Sequence, residues 1–351
     1  MKNNQQWHPA AVRAHRDQSP TVREFELRPE GGVKPWTVGS HLNVEVVIDG
    51  RMETRSYSLV GLPGAQGISA GAGAGARSGS GSGIGSSSGA TEVYRIAVKR
   101  AEPGRGGSRF MWGLEVGAEL NVGEPNNHFQ LAVGAPQHLL VAGGIGITPI
   151  IGMALMLNLR GANLQMRYAA RTADELVYRD VLAAALGARL RTFTDDSGDR
   201  IDLAAEIAAL APRAQLWICG PMPLLEAARA AWAAAGRAAA DLRFETFGNT
   251  GRFEAQPFWV ELPRHRLRLQ VPADRSLLDV LNEAGVETLF ECRRGECGLC
   301  ALDIERVEGT VDHRDVFFSP HQKRSNAQLC ACVSRISGGG VVLDSAYRPE
   351  A

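Results

Sequence analysis

Long apolar runs are missing from this 351-residue chain. No stretch reaches the roughly 18 apolar residues of a spanning helix, and the opening segment MKNNQQWHPAAVRAHRDQSP lacks the apolar core of a secretory signal. A cytoplasmic protein with reduced thiols is expected. Net charge is missing as well, since 38 Lys+Arg balance 38 Asp+Glu. That excludes a nucleic acid or membrane surface held by bulk charge, and leaves any charged partner to meet a local patch. Cysteine is sparse and unevenly placed: of 6 in the chain, all but Cys219 fall between Cys292 and Cys332. Such clustering excludes a disulfide framework spread along the sequence. In a reducing compartment it reads first as metal ligands or redox groups. No internal repeat stands out at solenoid periods.

Glycine is in excess, with 40 residues against a usual share of roughly 7%. Many of them lie in the tract GLPGAQGISAGAGAGARSGSGSGIGSSSGAT, about 61–91. A Gly/Ser/Ala tract buries too little apolar area to offset its ordering entropy, so it reads as a disordered insertion between two strands. The other glycines are punctuation in turns.

From Trp7 to about Val133 the segments TVREFELRP, SHLNVEVVI, TRSYSLV and EVYRIAVKR carry the alternation and β-branched content of strands, which predicts an antiparallel barrel. After residue 137 the pattern changes. HLLVAGG, LQMRYAA, RLRTFTDD, QLWICG and LRFETF are short apolar runs, separated by the helical stretches PIIGMALMLNL, DELVYRDVLAAAL and PLLEAARAAWAA. Alternation of this kind predicts parallel β-α-β units, whose ligands bind beyond the carboxyl ends of the strands. Past the polar stretch GNTGRFEAQP, WVELPRHRLRLQVP predicts two strands joined by a Pro-Arg-His turn. DRSLLDVLNEAG predicts a short helix capped by Asp274 or Ser276, and LDIERVEG and QLCACVSRI two more strands.

Between that helix and those strands lies Phe290-Glu-Cys-Arg-Arg-Gly-Glu-Cys-Gly-Leu-Cys300, with the C-x4-C-x2-C spacing of plant-type [2Fe-2S] ferredoxins. Three thiolates from one loop can wrap a two-iron cluster if small residues let backbone N–H groups approach it, and Gly295 and Gly298 supply that freedom. A structural zinc site usually pairs two C-x2-C knuckles, which the first spacing does not fit. Cys330 and Cys332 are both candidates for the fourth thiolate. If QLCACVSRI is a strand, their side chains share a face and alternation leaves the choice open.

Two segments suit a nucleotide. Leu139-Leu-Val-Ala-Gly-Gly-Ile-Gly-Ile-Thr-Pro149 is a buried strand running through glycines into a helix start, where backbone N–H groups can meet a pyrophosphate. Cys219-Gly220-Pro221-Met222 follows a later strand at the same edge of the sheet. Two more suit a flavin. In Arg55-Ser-Tyr-Ser58, arginine can fork onto a phosphate, tyrosine can stack on a flat ring and serine can hydrogen-bond a ring nitrogen. Gly104-Arg-Gly-Gly-Ser108 adds a turn of the kind that cradles phosphate.

In this order the segments resemble the phthalate dioxygenase reductase and vanillate demethylase reductase family over nearly the whole chain. The resemblance implies an FMN-binding β-barrel at 1–133, an NAD-binding α/β domain at 134–250 and a β-grasp [2Fe-2S] ferredoxin domain at 257–351. Arg55, Tyr57 and Ser58 look like the flavin motif and Gly106, Gly107 and Ser108 like the FMN phosphate turn. Gly144, Gly146, Thr148 and Pro149 match the pyrophosphate motif, and Cys219, Gly220 and Pro221 the motif beside the nicotinamide. Cys292, Cys297 and Cys300 match the cluster loop. Asp312-His-Arg-Asp315 and Cys332-Val-Ser-Arg335 look like family signatures, the second placing the fourth ligand at Cys332.

The activity implied is that of a monomeric NADH-dependent iron-sulfur flavoprotein. It passes electrons through FMN and the cluster to a terminal Rieske oxygenase component in aromatic catabolism, with Ser58 and Cys219 as orienting catalytic groups. A hydride donor gives two electrons at once and a cluster takes one, so a flavin must stand between them. Arg293, Arg294 and Glu296 are candidates for the docking rim, and Arg171 for a contact with a nucleotide 2′-phosphate. An FAD-containing reductase of a different monooxygenase, or a zinc-binding sensor, are the alternatives.

Overall fold

The computed structural model describes residues 6–62, 92–101, 106–247 and 253–345. Most of the Gly/Ser insertion, and Gly104 and Arg105, lie outside them. The chain divides into two compact units between Glu245 and Thr246.

In the first unit, β1 (Trp7–Ser19), β2 (Val22–Pro29), β3 (His41–Ile48), β4 (Arg51–Ser58), β5 (Tyr94–Lys99) and β6 (Glu119–Gly123) form an antiparallel sheet in the order β4-β3-β6-β1-β2-β5. A bridge between Leu59 and Ile96 joins its two edges and closes the barrel. Burial follows the strand period: Leu42, Val44 and Val46 of β3 and Phe25 and Leu27 of β2 fill the interior. Strand β1 was harder to read from the pattern, since its alanines are weak strand formers. Its register shifts at Val12/Ala14 and Asp17/Ser19 let so long a strand bend round the barrel. Helix α1 (Gly107–Trp112) lies between β5 and β6.

The same unit holds a parallel sheet of β7 (His138–Gly143), β8 (Leu164–Ala170), β9 (Leu190–Thr194), β10 (Gln215–Cys219) and β11 (Leu242–Glu245), ordered β11-β10-β7-β8-β9. Helices α2 (Ile147–Leu159), α3 (Arg179–Leu186), α4 (Leu203–Ala208) and α5 (Met222–Ala234) connect the strands. Central β7 is buried at every position, as a strand covered on both faces must be. DELVYRDVLAAAL opens in a single 3-10 turn over Ala173–Glu175 and is α-helical only from Arg179. Tyr178 takes a left-handed conformation and its hydroxyl donates to Glu24 of the barrel at 2.6 Å, which breaks the helix there. Lys99 pairs with Glu175, and Gly152 lies so close to Gly61 that an added Cβ would be 2.3 Å from its carbonyl oxygen. Barrel and parallel sheet are thus closely packed.

The second unit is a mixed sheet of β12 (Phe258–Leu262), β13 (Leu267–Val271), β14 (Ala301–Asp312), β15 (Gln328–Cys330) and β16 (Arg335–Asp344), ordered β13-β12-β16-β14-β15. Its α6 (Leu277–Glu283) buries Leu277, Leu278, Val280 and Leu281. Ser276 is its cap, accepting from Asp279 N at 3.2 Å. A short α7 (Pro320–Ser325) follows β14. QLCACVSRI is not one strand: Val333 N and Ser334 N both donate to the Cys330 carbonyl, at 3.2 and 2.9 Å, and turn the chain after β15. Among the described residues no helix is long and apolar enough to cross a membrane.

Candidate redox centre

At the carboxyl edge of the parallel sheet, β7 ends in Gly143 and is followed by Gly144 at φ +52°. A single turn over Gly144–Gly146 leads into α2, with Pro149 buried in its first turn. A Cβ added at Gly146 would lie 2.2 Å from the Cys219 carbonyl oxygen, and one at Gly143 2.7 Å from Pro221 Cδ. Two turns read separately in the sequence are therefore in backbone contact, and the absence of side chains permits it. Thr148 is buried and its hydroxyl donates to the Ile145 carbonyl at 3.0 Å, so it braces the turn. In the sheet register Cys219 stands beside Ala142 on one side and Glu245 on the other. Ser58 at the end of β4 donates to Glu245 Oε2 at 3.3 Å, and Glu245 and Cys219 are 2% and 1% exposed. Ser58, Glu245 and Cys219 form one buried group. Arg171 is exposed just past β8, where its carbonyl accepts from Asp196 N.

The flavin-like segments also meet. A Cβ at Gly107 would fall 2.8 Å from Arg55 Cγ and Nε, so the arginine stem lies against the start of α1. Gly106 holds φ +76° just before it, and Ser108 Oγ accepts from Ala101 N at 3.1 Å. The Arg55 guanidinium is paired with Glu53 at 2.7 Å. Tyr57 is half-buried and lies opposite Leu42 of β3.

In the second unit the loop from Phe290 to Cys300 joins α6 to β14. Arg294 N, Glu296 N and Cys297 N point at Cys292 Sγ, at 3.4, 3.3 and 3.4 Å. With a hydrogen bond from the Cys332 thiol, the strongest influence, these donors bring the Cys292 pKa down to about 4. Cys300 is also brought down to about 4, by thiol hydrogen bonds from Cys330 and Cys332. Cys332 thus acts on both Cys292 and Cys300, and Cys330 on Cys300. Cys297 also contacts Cys292, with burial pushing its own pKa up. The donor set suits a cluster that carries two thiolates on each iron. Among the described residues no three His, Cys, Asp or Glu side chains are placed round one metal ion.

The glycines of the loop are closely packed. Gly295, at φ +75°, would bring a Cβ within 2.6 Å of Val333 and 2.8 Å of Asp315; Gly298, at φ +74°, would drive one into the Phe317 ring. Asp315 is fully buried behind the loop. Burial alone would raise its pKa, but the His313 ring 3.6 Å away, the Phe318 N–H at 2.9 Å and nearby Lys323 hold it below the usual carboxylate value. Val316 N and Phe317 N then clasp the Gly295 carbonyl. Arg314 bonds Asp312, and Arg335 donates to the carbonyls of Gln256, Pro272 and Arg275. The DHRD and CVSR segments therefore brace the loop from behind.

The three residues offered for a docking rim are tied to their neighbours. Arg294 is 6% exposed and pairs with Glu296, which accepts from Thr246 N at 2.9 Å and whose pKa burial raises. Arg293 is held by Asp279 at 2.9 Å and lies over Phe290. These charges are spent on holding the loop; Leu289, Leu299 and Phe317 are the large side chains exposed around it.

Residues 261–337 match the family described as "2Fe-2S iron-sulfur cluster binding domain". Along most of the chain it is 34% identical to the heme-dependent oxidative N-demethylase beta subunit of Ectopseudomonas mendocina, covering 95% of this chain and 97% of that one. It is 36% identical to the carnitine monooxygenase reductase subunit of Escherichia coli, covering 92% and 94%. A solved phthalate dioxygenase reductase, described as a modular structure for electron transfer from pyridine nucleotides to [2Fe-2S], superposes with a TM-score of 0.72 at 29% identity, over 97% of this chain and 98% of that one. The chain belongs to the phthalate dioxygenase reductase family. An intact type IV self-sufficient cytochrome P450 monooxygenase contains the same fold, with a TM-score of 0.63 at 29% identity over 96% of this chain and 41% of that one.

Membership of the phthalate dioxygenase reductase family makes the chain an oxidoreductase, the reductase of an oxygenase system. One residue of its site, Glu245, was missed in the sequence. LRFETF reads as a strand, and only the rule that ligands gather beyond the carboxyl ends of parallel strands singles out its acidic last residue.

Proposed function

We propose that this chain takes hydride from NADH at the carboxyl edge of its parallel sheet and passes electrons through FMN and a [2Fe-2S] cluster to a terminal Rieske oxygenase component. The observation that carries the reading is the Ser58 to Glu245 hydrogen bond beside Cys219. It joins the end of the flavin-motif strand to the edge where a pyridine nucleotide would bind.

In this reading the backbone N–H groups at the start of α2, freed by Gly144 and Gly146, hold the pyrophosphate. Gly220 and Pro221 border the nicotinamide, and Cys219 orients it by contact. Arg55, Gly106, Gly107 and Ser108 hold the FMN phosphate, and Tyr57 covers the flat ring. Glu53 beside Arg55 limits how much positive charge that site presents, which suits one phosphate group better than a large polyanion. Ser58 presents its hydroxyl to the flavin, and Glu245 fixes that hydroxyl and can hold a proton for it. Their burial excludes water from the reacting atoms. Bound FMN supplies the exchange between a two-electron donor and one-electron acceptors. Cys292, Cys297, Cys300 and Cys332 hold the cluster, and the N–H groups aimed at Cys292 stabilise its ligand sulfur. Such a protein belongs in the cytoplasm, where free thiols stay reduced.

A second reading has support of its own. Likeness to the beta subunit of a heme-dependent demethylase and to a self-sufficient cytochrome P450 favours a heme-containing acceptor with the same internal chain of carriers. Reconstitution with candidate oxygenases of each class decides between them. The reading itself is tested by the absorption spectrum of the purified protein: flavin bands together with broad cluster absorption that NADH bleaches are expected, and a colourless protein contradicts it.

A further inference from the structure

The first unit holds a group of polar contacts that the redox chemistry does not use. They lie where the segment after β8 meets the barrel. Tyr178 donates to Glu24 of β2 at 2.6 Å, and Glu175 accepts from Thr21 Oγ1 at 3.2 Å and from Lys99 Nζ of β5 at 3.1 Å. Tyr168, fully buried in β8, sends its hydroxyl to the Glu175 carbonyl at 3.4 Å. Tyr178 is 8% exposed and holds φ +62°, a conformation that sterics disfavour for any residue with a Cβ. Burial raises the Glu24 pKa, and the Tyr178 hydroxyl is the strongest influence opposing that rise. A strained backbone and a desolvated carboxylate are costly ways to hold two surfaces together, and apolar side chains would give as much cohesion. What the polar contacts add is direction. Apolar surfaces can rock over each other, whereas a short hydrogen bond to a carboxylate fixes one register.

The contacts grip strands next to both proposed sites. Beyond Ser58 the flavin-motif strand runs on beside β5, through the bridge of Leu59 with Ile96 and the Val60 N–H on the Arg95 carbonyl at 2.9 Å. Strand β5 carries Lys99, and its partner β2 carries Glu24. On the other side, β8 lies beside β7, whose end leads into the Gly144–Gly146 turn. Gly152 of α2, against the Gly61 carbonyl with no space for a Cβ, makes a second point of contact. One point would leave the barrel free to rock; two set its angle.

We propose that Tyr178 and Glu175 are positioning residues: they clasp the parallel sheet to the barrel through Glu24, Thr21 and Lys99, and so set the distance and angle at which the nicotinamide meets the flavin. This rests on reading the sheet edge and the end of β4 as the nicotinamide and flavin sites. Efficient transfer needs reacting atoms roughly 3–3.5 Å apart, and a shift of about 1 Å can cost about a hundredfold in rate.

The test compares wild type with Tyr178→Phe, Glu24→Gln and Glu175→Gln in the FMN-loaded holoprotein. Amide hydrogen exchange reports on the clasp, and anaerobic stopped-flow reduction by NADH separates the dissociation constant from the saturating rate of flavin bleaching. Tyr178→Phe should speed exchange at 95–99 and 171–178 and lower the saturating rate about tenfold. Its dissociation constant for NADH should stay at the wild-type level, because the pyrophosphate turn is untouched. Glu24→Gln, which keeps an acceptor for the Tyr178 hydroxyl, should lose less. An unchanged saturating rate in Tyr178→Phe overturns the proposal and leaves the contacts a purely structural role. So does unchanged exchange, which would show that nothing is held there. A higher dissociation constant at an unchanged saturating rate also overturns it, by making the segment part of nucleotide binding. If Tyr178→Phe does not fold, Glu175→Gln carries the same comparison, since it loses the charge facing Lys99 but keeps an acceptor for Thr21; a smaller fall in the saturating rate is expected, and no fall overturns the proposal. Wild-type holoprotein whose flavin NADH does not bleach would instead overturn the reading of the two sites.

Discussion

The edge of the parallel sheet and the cysteine loop, the two places proposed to hold redox groups, bring backbone close by opposite means. At the sheet edge the decisive feature is what is missing: Gly143 and Gly146 bring two turns into contact where a Cβ would collide, and Gly220 leaves only tight space for one. Few side chains enter, and those that do, Ser58, Glu245 and Cys219, are uncharged or singly charged and buried. The loop depends instead on particular side chains. Its sulfurs are required by name, and the segment after Asp315, whose Val316 and Phe317 N–H groups bond the Gly295 carbonyl, and the Arg294 to Glu296 pair are committed to holding the backbone that presents them. The first kind of site should be broken by adding atoms, and the second by removing them.

The largest effect is expected where a sulfur is removed. Cys332→Ser should lower iron well below about two per chain and cut electron delivery to one-electron protein acceptors by about a hundredfold or more. Flavin reduction by NADH should survive, because the sheet edge is untouched. A full cluster in that variant would contradict the assignment of Cys332 as fourth ligand. Adding one methyl group is the converse experiment. In Gly146→Ala the crowding against Cys219, worth about 1–3 kcal/mol, should raise the KM for NADH about tenfold or more while iron content stays at the wild-type level. An unchanged KM would mean that this turn does not bind the nucleotide.

The smallest effect concerns the bracing behind the loop. Because the Asp315 pKa is depressed in the folded protein, the stability it contributes is present above the unfolded carboxylate value of about 3.9. That contribution is lost as pH falls through the lower folded value. Asp315→Asn should therefore lower the melting temperature of the cluster absorption near neutral pH, by the equivalent of about 1–3 kcal/mol. It should also flatten the acid limb of the stability profile. A variant that melts like wild type at neutral pH would show that Asp315 does not brace the loop.

The sequence carried the two kinds of site unequally. The loop was legible because its chemistry is local: C-x4-C-x2-C places three thiolates within one turn of chain, and Gly295 and Gly298 announce the close approach. What lay outside the local pattern was hidden. QLCACVSRI looked like one strand, and only the turn after Cys330 separates the reach of Cys332 from that of Cys330. Arg294 and Glu296 were candidates for a docking rim because nothing in their spacing reveals that they pair with each other in a buried position. At the sheet edge the glycines and Cys219-Gly220-Pro221 were visible as separate turns, and parallel β-α-β order predicted a common edge for them. Glu245 was not visible, since its partner Ser58 is nearly two hundred residues away and belongs to a different sheet. The barrel was read from alternation in β2, β3 and β5, and β1 was harder because its alanines are poor strand formers and neighbours on both sides hold it.

Both sites serve one claim, that electrons enter at the sheet edge as a pair, pass through the flavin and leave singly from the loop. Stopped-flow mixing of the holoprotein with NADH, followed at wavelengths that separate flavin from cluster, tests it directly. Flavin bleaching should precede or accompany cluster bleaching, and cluster reduction should fail in flavin-free protein. Cluster reduction at an unchanged rate without flavin would contradict the account.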